Sequence, residues 1–419
     1  MIAYLLFSIT YILEVIAGHF FPPLYMGGVL VLGRTLPVVI AIVYLIKLVK
    51  AQLYTTYIFR ITLLFLSLLV LISSVNGLYR DNNIHAFLSH LVSYLSFLIL
   101  LFCCSQMYML KADKILDFIG KVSPYILLVV LMLTYFIFTM EEQSPRLSLS
   151  FTLLCIPVSY YLSSRIIQIW FILSVVLILM TLKRSIWLAF LVQCVIAWRS
   201  GLLKGWGASL IFYLKSLVIS KNKKSMMHII IINILILLFL VFSFTGTDSI
   251  NKLWGYFWVK LDFENIRAVN LIDAITSGRV LDYYAVLHAL GEGNAFLFGL
   301  GFGVVYDGMA TGEALHGYSG EWLKSGSDVI FLNMWLLHGV ILGSILFIVL
   351  LVFLIRSYFF MLETDDRWFR FLFLIFIFYF IESLFSFVPW DPLWAIILGL
   401  LIARKKWISD CANSVMKLE

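Results

Sequence analysis

Ser327-Asp328-Val329-Ile330-Phe331-Leu332-Asn333-Met334-Trp335-Leu336-Leu337-His338-Gly339 is where the chain passes from a long polar stretch into apolar sequence that continues to about residue 355. Read by length, residues 328–355 form one membrane span, since about 20 mostly apolar residues cross the hydrocarbon of a bilayer. What precedes it is different. Residues 246–327 mix charged, aromatic and glycine residues with little Pro or Ser, and loops longer than about 15 residues are uncommon unless they are functional or disordered. That composition argues against disorder. The stretch is therefore expected to be a folded loop that carries a site.

Outward from this boundary the chain is apolar. Of its 419 residues 63% are hydrophobic and 13% charged, and its mean hydropathy is +1.03, whereas soluble domains carry about 25% charged residues. The expected fold is an all-α polytopic integral membrane protein. Candidate spans fall at 2–20, 27–46, 57–76, 86–108, 123–140, 148–163, 165–181, 185–199, 228–245, 328–355, 369–388 and 390–403, about twelve by that length rule. Residues 1–245 then hold about nine spans, 246–327 the large loop, and 328–419 the remaining spans and a short basic tail. The first residues lack a basic n-region and read as the first span rather than a cleaved signal.

Charge sets the expected orientation. With both termini cytoplasmic, about twenty of the 30 basic residues fall inside, among them Lys111, Lys221, Lys223, Lys224, Arg356 and Arg404, as the positive-inside rule asks. The loop 246–327 then faces away from the cytoplasm, and the basic segment 200–227 is cytoplasmic. The formal charge of +7 is explained by topology and gives no support to nucleic-acid binding. Five cysteines without CxxC or metal-ligand spacing suggest neither a disulfide framework nor a metal site. No cofactor motif is read, and no internal repeat supports an inverted-repeat transporter.

Several residues can carry chemistry. Arg184, with Lys183 beside it, stands between two apolar runs on the side where basic residues are disfavoured. It is either a snorkelling interfacial cation or an anion grip, because guanidinium binds phosphate in bidentate fashion. Arg279 follows Ser277-Gly278 and opens a helical pattern. There the free N–H groups and the dipole favour an anion, unless the side chain simply pairs with Asp273 or Asp282. Asp328 is a helix cap or a general base. His316 is a lone loop histidine, while His338 is expected to be packed and hydrogen-bonded. Glu382, inside an apolar run, needs a partner or a water-filled cavity. Phe298-Gly299-Leu300-Gly301-Phe302-Gly303 follows no strand-to-helix unit and reads as a turn or close-packing device, not a nucleotide loop.

Taken in order, these elements resemble those of bacterial O-antigen polymerases and O-antigen ligases. Lys183-Arg184-Ser185-Ile186-Trp187-Leu188-Ala189 is similar to their Ser-Arg-Ser-x-Trp-Leu-Ala element. Ser277-Gly278-Arg279 and the glycine run resemble their large periplasmic loop, and Ser327-Asp328-Val329-Ile330-Phe331-Leu332 with Gly339 resembles the element that closes it. Where the ligase branch typically has His, this chain has Asp328, which favours the polymerase branch. The resemblance implies a GT-C-like fold and metal-independent, inverting glycosyl transfer at the periplasmic face of the bacterial inner membrane. Donor and acceptor would be oligosaccharides on undecaprenyl diphosphate, with Arg184 and Arg279 on the diphosphate and Asp328 as base. Lys183, His316 and Glu382 would complete substrate binding, no cofactor or metal taking part. Membrane lipids, a chain-length regulator and a flippase are the expected partners. A ligase that moves the polymer to lipid A–core, or a flippase of polysaccharide lipids, are the competing expectations.

Overall fold

The computed structural model describes residues 39, 57–106, 184–200, 279–292, 295–307, 323–324, 326–327, 329–385 and 392–416. The helices are α1 (Tyr57–Tyr79), α2 (Ile84–Ser105), α3 (Arg184–Arg199), α4 (Arg279–Glu292), α5 (Ile330–His338), α6 (Val340–Glu363), α7 (Arg367–Ser383) and α8 (Pro392–Met416). Within the predicted loop, β1 (Tyr306–Asp307) and β2 (Leu323–Lys324) form a short antiparallel ladder with Tyr306 opposite Lys324. The chain divides into two compact units. One comprises Met1–Phe118, Leu188–Gln193 and Arg267–Glu419, the other Ile119–Trp187 and Cys194–Ile266. Everything described below except the two ends of α3 belongs to the first.

Among the described residues, three helices are long and apolar enough to cross a membrane: Arg60–Tyr79, Ile84–Ser105 and Val340–Glu363. Their outward faces are the physical sign. Leu64 on α1 is 71% exposed and Ile348 on α6 is 55% exposed. Rows of such residues would form an adhesive patch in water, whereas lipid chains would solvate them. The buried faces pack inward. α2 lies along α8, where Gly399 fits so closely that an added Cβ would sit 2.6 Å from the Cβ of Cys104. Asn83 caps α2 by accepting from the N–H groups of His85 and Ala86. Asp366 caps α7 and also takes Arg404 of α8 at 2.5 Å, which ties those two helices together.

The span expected at 328–355 is not one helix. It breaks at Gly339, whose φ of +85° is a conformation that residues with a Cβ rarely adopt. α5 and α6 then fold back on each other. A Cβ on Gly343 would meet the carbonyl carbon of Met334 at 2.7 Å, and the rings of Phe331 and Phe347 lie 5.9 Å apart. Residue numbers fall along α5 as they rise along α6, so the pair is antiparallel. The head of α5 therefore lies beside Phe347, about 10 Å along α6 at 1.5 Å per residue. Ser327 and Val329, which flank Asp328, are buried there.

The glycine run holds the other end of this hairpin. Gly299, Gly301 and Gly303 all have φ between +73° and +80°, and Leu300 and Phe302 between them and Val304 after them are all buried. The backbone itself makes the contacts. Leu300 N–H donates to the Leu336 carbonyl at 2.8 Å, Phe302 N–H to that of Ser73 at 2.9 Å, and Val340 N–H to that of Phe296 at 2.7 Å. Asn82 donates to the carbonyls of Leu300 and Phe302, each at 2.9 Å. A Cβ on Gly301 would approach the Ser73 carbonyl oxygen to 2.6 Å, so only glycine allows this approach. The run is a close-packing clamp that joins α1, α2, α5 and α6.

Candidate functional site: a buried polar recess at the heads of α4 and α5

α4 begins at Arg279, as the Ser277-Gly278 start signal predicts. One turn on, Asp282 lies on the face that also buries Val286 and Leu290; all three are 0% exposed. A carboxylate in the first turn is favoured by the helix dipole, and here it is also fully engaged. Tyr306, brought in by β1, donates its hydroxyl to Oδ1 at 3.2 Å. Ser327 donates its hydroxyl to Oδ2 while accepting the N–H of Val329 at 3.1 Å. The Ser327 N–H in turn donates to Oδ1 of Asn333 at 3.3 Å.

These bonds bring two helix N-termini to one place. Val329, the N-cap of α5, offers no side-chain hydrogen bond to the first turn. The opening N–H groups of a helix have no intrahelical acceptor, so they present partial positive charge where the head of α4 does the same. Nδ2 of Asn333 is buried and has no hydrogen-bond partner among the described residues. A buried donor left unpaired costs about 1–3 kcal/mol. This buried polar cluster thus sets an unpaired amide donor and uncapped helix N–H groups beside one carboxylate already held by hydroxyls.

The expected site residues are distributed as follows. Arg279 is the first residue of α4, one turn before Asp282. Asp328 is covalently flanked by Ser327 and Val329, both part of the recess, and itself lies outside the described residues, as do Lys183 and His316. Arg184 is the first residue of α3. Glu382 stands in the last turn of α7, partly exposed. Its helix reaches the head of α5 through a chain of rings: Phe380 stacks on Phe347 at 6.1 Å, and Phe347 meets Phe331 at 5.9 Å. Asp282, Tyr306 and Asn333 were not singled out as site residues from the sequence. The one readable sign was Asp282 at the i−4 and i−8 positions of a buried apolar face.

His338 is structural, as its place in the apolar run suggested. It is 0% exposed, with Nδ1 2.6 Å from the Ser73 hydroxyl and Nε2 2.7 Å from that of Tyr94. Ser73 donates to the Leu337 carbonyl at 3.0 Å, which leaves its oxygen to accept from Nδ1. Nε2 then accepts from Tyr94, and a neutral imidazole satisfies every partner. His90 does similar work, its Nδ1 accepting from Gly303 N–H at 3.1 Å. No group of three His, Cys, Asp or Glu side chains suited to a metal ion occurs among the described residues.

Comparison of the chain with protein-family models, with curated proteins and with solved structures finds no match.

Proposed function

We propose that this protein is a membrane glycosyltransferase that polymerises oligosaccharide repeat units carried on undecaprenyl diphosphate, working at the periplasmic face of a bacterial inner membrane. The observation that carries this reading is the meeting of α4 and α5 through Asp282 and Ser327. The two segments that bear Arg279 and Asp328, distant in sequence, contribute to one recess. The ordered resemblance of three sequence elements supplies the reaction class.

In the reaction, a hydroxyl of the acceptor sugar attacks the anomeric carbon of the donor. The bond from that carbon to the phosphate oxygen breaks with inversion, and undecaprenyl diphosphate leaves with the electron pair. Charge grows on the departing phosphate. Arg279 and the N–H groups at the head of α5 would meet it, and preorganised donors of this kind in a dry site lower the barrier without a metal; Arg184 is a further grip that the sequence resemblance implies. Asp328 would take the proton of the attacking hydroxyl. Asp282 is not assigned that role, because both of its oxygens already accept hydrogen bonds. Lys183, His316 and Glu382 remain candidates for contacts to the substrate.

Purified protein in liposomes, given labelled lipid-linked repeat units, tests the proposal. A ladder of polymer is expected. Transfer to lipid A–core would instead make the protein a ligase, and crossing of the bilayer without transfer would make it a flippase. In cells, loss of a polymerase should leave surface lipopolysaccharide capped by single repeat units.

A further inference from the structure

An apolar groove of about 310 Å³ is enclosed by α1, α2, α5, α6 and α8. Ligand pockets run from roughly 300 to 1,000 Å³, so this one suits a single hydrocarbon chain. It follows α6 from Leu346 to Arg356, about 15 Å at 1.5 Å per residue. Thr62 and Arg356 are the only polar residues that line it among the described residues.

The Arg356 end has a distinct charge pattern. Arg370 pairs with Asp365 at 3.0 Å and Arg404 with Asp366 at 2.5 Å, yet Arg356 has no ion-pair partner among the described residues. Lys405 stands close by. Burial, and then the charge on Arg356, hold Lys405 below the usual lysine range, against the opposing pull of Glu363. Two neighbouring cations at the end of a hydrocarbon-lined groove complement an anionic headgroup with an apolar chain.

We infer that the groove holds one acyl chain of an anionic phospholipid whose phosphate is gripped by Arg356 and Lys405. A guanidinium binds phosphate oxygens in bidentate fashion, and the ammonium adds a second charge. The tail of a lipid-linked sugar is the less suitable occupant. Its diphosphate belongs at the heads of α4 and α5 beside Phe347, nine residues or about 13 Å along α6 from Arg356. The choice of occupant rests on the glycosyl transfer proposed above, while the groove and its two cations do not.

Trp394 lines the groove and provides the probe. The full chain is placed in phosphatidylcholine vesicles containing increasing fractions of phosphatidylglycerol brominated on its acyl chains. The signal is the fluorescence quenching lost in Trp394→Phe. Quenching should saturate at a several-fold lower fraction of brominated phosphatidylglycerol than of brominated phosphatidylcholine. Arg356→Gln should abolish that preference and Lys405→Gln should weaken it. Because a variant can fail to fold, the wild type is also measured at rising salt, which screens exposed charges and should erode the preference. Equal quenching by the two lipids would overturn the inference. So would a preference indifferent to salt or surviving in folded Arg356→Gln, or displacement of the brominated lipid more readily by undecaprenyl diphosphate than by phosphatidylglycerol.

Discussion

The two ends of α5 are built on opposite principles. At its C-terminal end, Gly339 and the glycine run bring backbone against backbone, and His338, Ser73 and Tyr94 satisfy one another in a dry interior. At its N-terminal end, Asp282, Ser327, Tyr306 and Asn333 gather polar groups around the head of α5, whose first N–H groups have no side-chain cap. The first end has spent its hydrogen-bonding capacity on holding the fold; the second retains donors for something else. A nine-residue helix thus serves as a strut between a clamp and a recess. Substitutions in the clamp should change the amount of folded protein, and substitutions in the recess should change what the folded protein does.

The largest effect is expected at the clamp. Gly339→Ala forces a Cβ to within 2.7 Å of the Phe298 nitrogen at a φ of +85°, so folded protein in membranes should fall close to nothing. Size-exclusion chromatography of detergent extracts would show this, and a well-folded Gly339→Ala protein would break the contrast. Next in size is the recess. Asp328→Asn should leave melting temperature and membrane level near wild type while slowing turnover by roughly 10²-fold or more, the usual scale for a general base. An active Asp328→Asn beside a poorly expressed Asp328→Ala would reduce the residue to a structural role. The smallest effect sharpens the clamp side. Tyr94→Phe strips Nε2 of His338 of its donor and should destabilise by about 1–3 kcal/mol, read as a lower melting temperature with turnover per folded molecule unchanged.

The sequence exposed some of this and hid the rest for identifiable reasons. Apolar length alone located the helices α1, α2 and α3 to within a few residues: segments read at 57–76, 86–108 and 185–199 correspond to Tyr57–Tyr79, Ile84–Ser105 and Arg184–Arg199. The hairpin at Gly339 was invisible, because an unbroken apolar pattern reads the same for one helix or two, and a lone glycine inside it is tolerated. The close-packing reading of Phe298–Gly303 was legible from the lack of a strand-to-helix context, but its partners Ser73, Gly77 and Asn82 lie over 200 residues away. The recess depends on a bond between Asp282 and Ser327, 45 residues apart, which no local pattern encodes. Expectations for Lys183, His316 and Asp328 fall on positions outside the described residues.

The most direct test of the central claim is the rate of polymer formation from lipid-linked repeat units in proteoliposomes, wild type against Arg279→Lys, at matched amounts of folded protein. Lysine keeps the charge at the head of α4 but loses the planar fork that grips two phosphate oxygens. The expected result is a polymer ladder from the wild type and a loss of about 2–4 kcal/mol of transition-state stabilisation in the variant, the range for a preorganised donor to developing charge, which is roughly 30- to 900-fold in rate at 1.36 kcal/mol per decade. A wild type that makes no ladder, or an Arg279→Lys protein that makes it at an undiminished rate, would contradict the claim.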